Sequence, residues 1–303
     1  MAAPSDLDRS AVRRQFDRRD RDAGAFLARE VESRMLQRLE LVRLQPRRIL
    51  DVGCGLGDGL RRLNARWPGA QAFGVDLSPR RLARAAALER PGLGAWAQSF
   101  ARRLAGRSGS PHGRYVAADA HRLPISGDAF DLVWSNLAFH WFDDAPAAIA
   151  EWYRVIRPGG LLMFSALGVD SLRELRAAGL AVPALPDLHD VGDALGAAGF
   201  ADPVMDAERL TVTWTDGARM VGELRALGGD ARRARRRGLS TPRQRAAMLA
   251  TLPNRLGAAP PDRPFTISVE VIHGHAWCAA SKRLPGGWAP IAFRPAAPPA
   301  RGA

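Results

Sequence analysis

The chain nearly does without lysine: of its 44 basic residues only Lys282 is not arginine, and against 31 acidic residues they leave a formal charge of +13. A surplus of that size favours an acidic partner. Cysteine is as scarce. Cys54 and Cys278 are the only two, which excludes a disulfide framework and a cysteine-based metal site. The histidines offer no compact ligand set, since His112, His121 and His140 are scattered and His273 and His275 alternate along one run, so no metal is expected. No stretch approaches the ~20 apolar residues that span a bilayer, so no membrane partner is expected. The amino terminus, with Asp6, Asp8, Arg13, Arg14 and Asp17, lacks the apolar core of a signal peptide, and the expected location is cytoplasmic. Aromatics are absent from positions 228 to 245, where Arg232, Arg233, Arg235, Arg236, Arg237, Arg243 and Arg245 concentrate the positive charge. Single-strand nucleic-acid binding interleaves aromatics with such charge, so an acidic protein suits this run better than nucleic acid.

What the chain does have is a glycine loop behind a short apolar run. Ile49, Leu50 and Val52 suit a buried parallel strand, and Gly53, Gly55 and Gly57 follow. A dinucleotide-binding loop needs its third glycine one position later, where Asp58 stands. Asp51, two residues before the first glycine, would repel a pyrophosphate and attract a ligand carrying an ammonium and a sulfonium. That combination points to S-adenosylmethionine. Asp76 closes the next apolar run 19 residues beyond Gly57, where a carboxylate can accept from both ribose hydroxyls. Ser78-Pro79 behind it also reads as a helix start, so Asp76 has a capping role as its alternative.

Alternating strands and helices imply an α/β, Rossmann-like doubly wound sheet, and 47% hydrophobic residues in 303 can bury one large core. Residues 1–47 read as an amino-terminal helical segment covering the cofactor site, with Phe26, Leu27, Val31, Met35, Leu36 and Leu39 on one face. Residues 48–280 form the main domain. Strands are expected at 48–53, 71–76, 115–118, 130–136, 161–165, 210–214 and 265–272, and a glycine- and proline-rich insertion at 91–114. Helical insertions at about 169–198 and 216–255 would form an acceptor-side lid, and 281–303 reads as a flexible Pro- and Ala-rich tail. In a parallel sheet Asp119 would share an edge with Asp51 and Asp76, placing it to accept from the adenine amino group or simply to start a turn. Asn136, at the end of the fourth strand, leads through Leu137 to His140 and Trp141, the segment that would face the sulfonium methyl.

Leu50-Asp51-Val52-Gly53-Cys54-Gly55, Asp119-Ala120, Phe130 to Leu137 and Glu151 to Gly160 resemble the class I S-adenosylmethionine-dependent methyltransferases. Within them the chain resembles the malonyl-ACP O-methyltransferases of biotin synthesis, through Trp134 to Ala138 with Trp141, Tyr153-Arg154-Val155, Ser171 to Leu175 and Leu224 to Gly229. The resemblance covers most of residues 10 to 277. It implies a seven-stranded, mostly parallel sheet whose last strand is antiparallel, and S-adenosyl-L-methionine as cofactor. Asp51, Gly53, Gly55, Gly57, Asp76, Leu77, Asp119, Ala120, Asn136 and Leu137 would bind it. Arg225 stands where many relatives have lysine, and the run from Phe16 to Ala23 lacks their tyrosine. That same run also resembles complex I assembly factors linked to arginine hydroxylation, which makes a hydroxylase, or an assembly protein that binds the cofactor without methyl transfer, the competing reading.

The implied reaction esterifies the free carboxyl of a malonyl thioester, at the start of pimeloyl formation. A carboxylate is already ionised at neutral pH, so no base is needed and His140 is expected to shape or hydrogen-bond the pocket. Trp141 is expected beside it, with ordinary core packing as its alternative. Arg225 is the first candidate to orient the acceptor carboxylate, and a solvated surface role is its alternative. The implied partner is an acidic, malonyl-loaded acyl carrier protein or malonyl-CoA, and the protein is expected to act as a monomer.

Overall fold

The computed structural model describes residues 6–18, 25–89, 114–180, 182–226, 231–234, 241, 243, 247, 250–252, 256 and 264–279. Seven strands form one sheet: β1 (Arg48–Val52), β2 (Gln71–Asp76), β3 (Arg114–Ala117), β4 (Phe130–Ser135), β5 (Ile156–Leu167), β6 (Phe200–Trp214) and β7 (Phe265–Cys278). Their order is β3-β2-β1-β4-β5-β7-β6. The four pairings from β3 to β5 are parallel, and β7 runs against both β5 and β6. Strand order therefore reverses between β1 and β4, where an open α/β sheet leaves a crevice at its carboxyl edge.

Apolar side chains cover both faces of that sheet, which is why β4 is buried along its whole length. On one face lie α2 (Ala25–Glu40) and α3 (Asp58–Arg66), whose Leu27, Val31, Met35, Leu60 and Leu63 pack on Ile49, Leu132 and Trp134. The other face holds α5 (Ala145–Val155) and α7 (Leu188–Ala198), where Ile149, Trp152, Val191 and Leu195 pack on Val133, Leu162 and Phe164. Local chemistry sets the helix ends. Ser78 accepts from Arg81 N to cap α4 (Pro79–Leu88), and Asp144 and Asp187 do the same for α5 and α7. Further helices are α1 (Arg9–Asp17), α6 (Arg173–Ala177) and α8 (Gly217–Ala226). No helix among the described residues is long and apolar enough to cross a membrane.

Three expectations change. The strands expected at 161–165, 210–214 and 265–272 extend to 156–167, 200–214 and 265–278. β6 and β7 form a long antiparallel ladder whose outer strand is mostly exposed, so Asp206 and Glu208 belong to a strand without an apolar signal. The segment 169–182 contains only the short α6, because Leu172 enters it with φ +60° and Gly179 leaves it with φ +68°. Most importantly, α7 is not part of an acceptor-side lid: Val191 and Leu195 are buried in the sheet core beside Trp152. The insertion expected at 91–114 lies outside the described residues except for Arg114, which opens β3, and the tail at 281–303 and most of the helix expected at 241–252 lie outside them too.

Candidate active site

The carboxyl ends of β1, β2 and β4 open into a cleft with about 230 Å³ of free space, and α1 and α2 supply its opposite wall. Its floor is the glycine loop. Gly53 has φ +79°, and a Cβ there would collide with that of Ala138, so the backbone approaches the β4 side as only glycine permits. Gly53 and Gly55 line the cleft, whereas Gly57 does not. With φ +78° it turns the chain into α3, and a side chain there would meet the Tyr115 hydroxyl. Gly57 thus serves the turn that carries the loop into α3, beside the cleft where the loop is expected to meet the cofactor.

Three carboxylates dominate the electrostatics. Asp51 is buried on β1, and Glu32 reaches the same place from α2. A Cβ on Gly59 would sit 2.9 Å from an oxygen of each, so only glycine leaves room where they converge. Burial pushes Glu32 up to about 7, although Arg62 Nε stands 3.3 Å from its Oε2. Asp51 is pushed well above the carboxylate range by burial and then by the charges of Glu32, Asp76 and Asp58. Asp76 accepts from Gly55 N at 2.9 Å and from Ser78 N at 2.8 Å. These bonds fix its carboxylate and leave lone pairs free, yet burial still raises its pKa. Such a cleft favours a cationic guest, whose charge would relieve all three groups.

At the other end Asp119 and Ala120 line the wall with Leu77. Asp119 accepts from Arg9 Nη1 at 2.6 Å, from His121 N at 3.0 Å and pairs with His121 Nδ1 at 2.5 Å. Burial raises this carboxyl, but the His121 bonds and the Arg9 charge outweigh it and hold the pKa below the usual value. Asn136 has a different duty from Asp119. Its Nδ2 donates to Ala28 O at 2.9 Å and its Oδ1 accepts from Ser165 Oγ at 2.9 Å, clamping α2 to the sheet edge. Leu137, at φ +48°, donates its N–H to that same Ser165 oxygen at 2.9 Å and lines the cleft.

His140 and Trp141 share a 3₁₀ turn after β4, and both line the cleft. Trp141 is half-buried and meets Phe16 of α1 edge to face at 5.6 Å, so it belongs to the contact that seats the amino-terminal cover. Arg225 lies in the backbone of α8, but its side chain falls outside the described residues. Several cleft residues carried no clear signal. Arg9 reaches Asp119 from 110 residues away, and Arg81 stacks over Phe16 at 5.4 Å. Glu32 was detectable in principle, as an acidic residue between Val31 and Met35 on the apolar face of α2.

A family model described as a methyltransferase domain matches residues 50–164. A malonyl-[acyl-carrier protein] O-methyltransferase of Methylovorus sp. is 40% identical over 301 residues, covering 96% of each chain. Its counterpart in Laribacter hongkongensis is 39% identical over 303 residues, covering 96% of this chain and 97% of that one. The chain belongs to the malonyl-[acyl-carrier protein] O-methyltransferase family. It is therefore a methyltransferase, and S-adenosyl-L-methionine is its cofactor. A putative methyltransferase from Bacillus halodurans shares the fold, with a TM-score of 0.55 at 17% identity over 82% of this chain and 99% of that one. The acidic cleft suits the cofactor of this methyltransferase family on its own terms. Buried carboxylates with raised pKa values complement an ammonium and a sulfonium, and would oppose a phosphorylated ligand.

Proposed function

We propose that this methyltransferase esterifies the free carboxylate of a malonyl thioester, carried by acyl carrier protein or by CoA, at the start of pimeloyl formation in biotin synthesis. One observation carries the reading. The methyltransferase domain model stops at residue 164, but likeness to malonyl-[acyl-carrier protein] O-methyltransferases continues over 96% of the chain, through the elements that would meet the acceptor.

When bound, S-adenosyl-L-methionine supplies an electrophilic methyl group on a sulfonium. Asp51 and Glu32 would hold its ammonium end, Asp76 the ribose hydroxyls, and the Asp119-Ala120 turn with Leu77 the adenine. Because Arg9 and His121 already engage Asp119, the adenine amino group would share that carboxylate with them. Leu137 would contribute apolar surface, and Asn136 would keep α2 against the sheet. An acceptor carboxylate, with an ordinary pKa near ~4, is ionised at neutral pH and asks no base of the chain. The remaining task is alignment, which can supply roughly 7 to 11 kcal/mol. Phe16 and Trp141, packed together at the rim, would exclude water from it.

Mass spectrometry of the protein incubated with cofactor and, in parallel, malonyl-ACP, malonyl-CoA and acetyl-ACP tests the reading. One added methyl on a malonyl substrate and none on acetyl-ACP is expected. Methylation of acetyl-ACP, or cofactor binding with no transfer to any substrate, would contradict it.

A further inference from the structure

His140 lines the cleft, where a general base would stand, but its hydrogen bonding fits another task. The backbone N–H of Leu167, at the end of β5, donates to Nδ1 at 3.3 Å. That nitrogen must therefore present its lone pair, and in a neutral imidazole the proton then resides on Nε2. The ring is 6% exposed, and burial pushes its pKa down to about 3, so the neutral form prevails throughout the working pH range. Among the described residues no protein group accepts from Nε2, which leaves this N–H available to a ligand in the cleft.

We propose that His140 binds the acceptor as a neutral hydrogen-bond donor, its Nε2–H holding the malonyl carboxylate. This rests on the malonyl reading above. In the transfer, one carboxylate oxygen forms a bond to the methyl carbon while the sulfur–methyl bond breaks and its electron pair stays on sulfur. No proton moves, so a base has nothing to accept. The other oxygen turns from half of an anion into an ester carbonyl, an acceptor in both states, and a neutral N–H can keep its bond throughout. A guanidinium in the same place would stabilise the ionised ground state more than the transition state, in which that charge is being lost, and would slow the step. The Leu167 bond keeps the ring from turning its donor away. Glutamine could reproduce the arrangement, accepting from Leu167 N through its oxygen and donating through its amide.

The test combines a spectrum with kinetics. In ¹⁵N-histidine NMR, with the signal assigned by its loss in His140→Gln, the Nε2–H tautomer is expected at pH 7 and unchanged at pH 5. His140→Leu should raise KM for malonyl-CoA at least about tenfold, the loss of one hydrogen bond's worth of binding. His140→Gln should stay within about threefold of the wild type by the same scale. Cofactor affinity by calorimetry should be unchanged in both variants, showing that the cleft is intact. An Nδ1–H or charged ring, an unaltered KM in His140→Leu, or a glutamine variant as impaired as the leucine one would each overturn the inference. A wild-type protein that methylates no malonyl thioester would instead overturn the functional reading, and with it the identity of the ligand at Nε2.

Discussion

Glu32 is 2% exposed on a helix whose other buried positions are Leu27, Val31, Met35 and Leu39. Because its pKa is raised in the folded chain, the native state holds a proton that the unfolded state has released between the ordinary 4.5 and about 7. The contribution of Glu32 to stability should fall as pH rises through that window, by roughly 3 kcal/mol, and be level above it. Glu32→Gln should flatten this slope in denaturant titrations at pH 5 and pH 8; an unchanged slope would place the shift elsewhere. Cofactor binding should show the opposite trend, tightening with pH in the wild type as the carboxylate ionises to meet the ammonium. Asp76 can be tested more simply. Its carboxylate is fixed by Gly55 N and Ser78 N, and Asp76→Ala should weaken cofactor binding by roughly 1 to 3 kcal/mol in calorimetry, whereas a helix cap alone would leave affinity unaltered. Asp51 and Asp76 were legible because they end strands at a sheet edge. Glu32 carries a weaker signal, an acidic residue on an apolar helix face, because that pattern describes packing and says nothing of the cleft its face adjoins.

Among the elements, the contact between α2 and the sheet edge depends on few bonds. Asn136 joins Ala28 O and Ser165 Oγ, and Ser165 in turn accepts from Leu137 N. Asn136→Ala removes both bonds and leaves the buried Ser165 hydroxyl without its acceptor, which should cost about 1 to 3 kcal/mol. Hydrogen exchange of the α2 amides should quicken while the β6–β7 ladder is unaffected; equal effects on both would mean a global loss of stability. The central strands were readable from sequence since they are buried on both faces and show as unbroken apolar runs. The sequence pattern predicts only the last third of β6, because its outer edge is solvated and its Asp206 and Glu208 face Arg38 and Arg34 of α2. The amphipathic pattern of α7 predicts the helix but not its place in the sheet core, since periodicity reveals an apolar face and not the surface it meets.

At the scale of the whole molecule, +13 of formal charge should make association with an acidic carrier faster at low salt. Raising ionic strength from about 50 to 300 mM should lower kcat/KM for malonyl-ACP severalfold at constant kcat, as the screening length shrinks below ~10 Å. A smaller decline is expected with malonyl-CoA, and equal declines would argue against protein docking. The central claim is that the cofactor's methyl group ends on the distal carboxyl oxygen of a malonyl thioester. With ¹³C-methyl-labelled S-adenosyl-L-methionine and malonyl-ACP, a long-range carbon–proton correlation identifies the atom that receives it. The methyl protons should correlate with the distal malonyl carbonyl carbon, as in a methyl ester. Correlation with the central malonyl carbon, or label found only on the protein, would contradict the account.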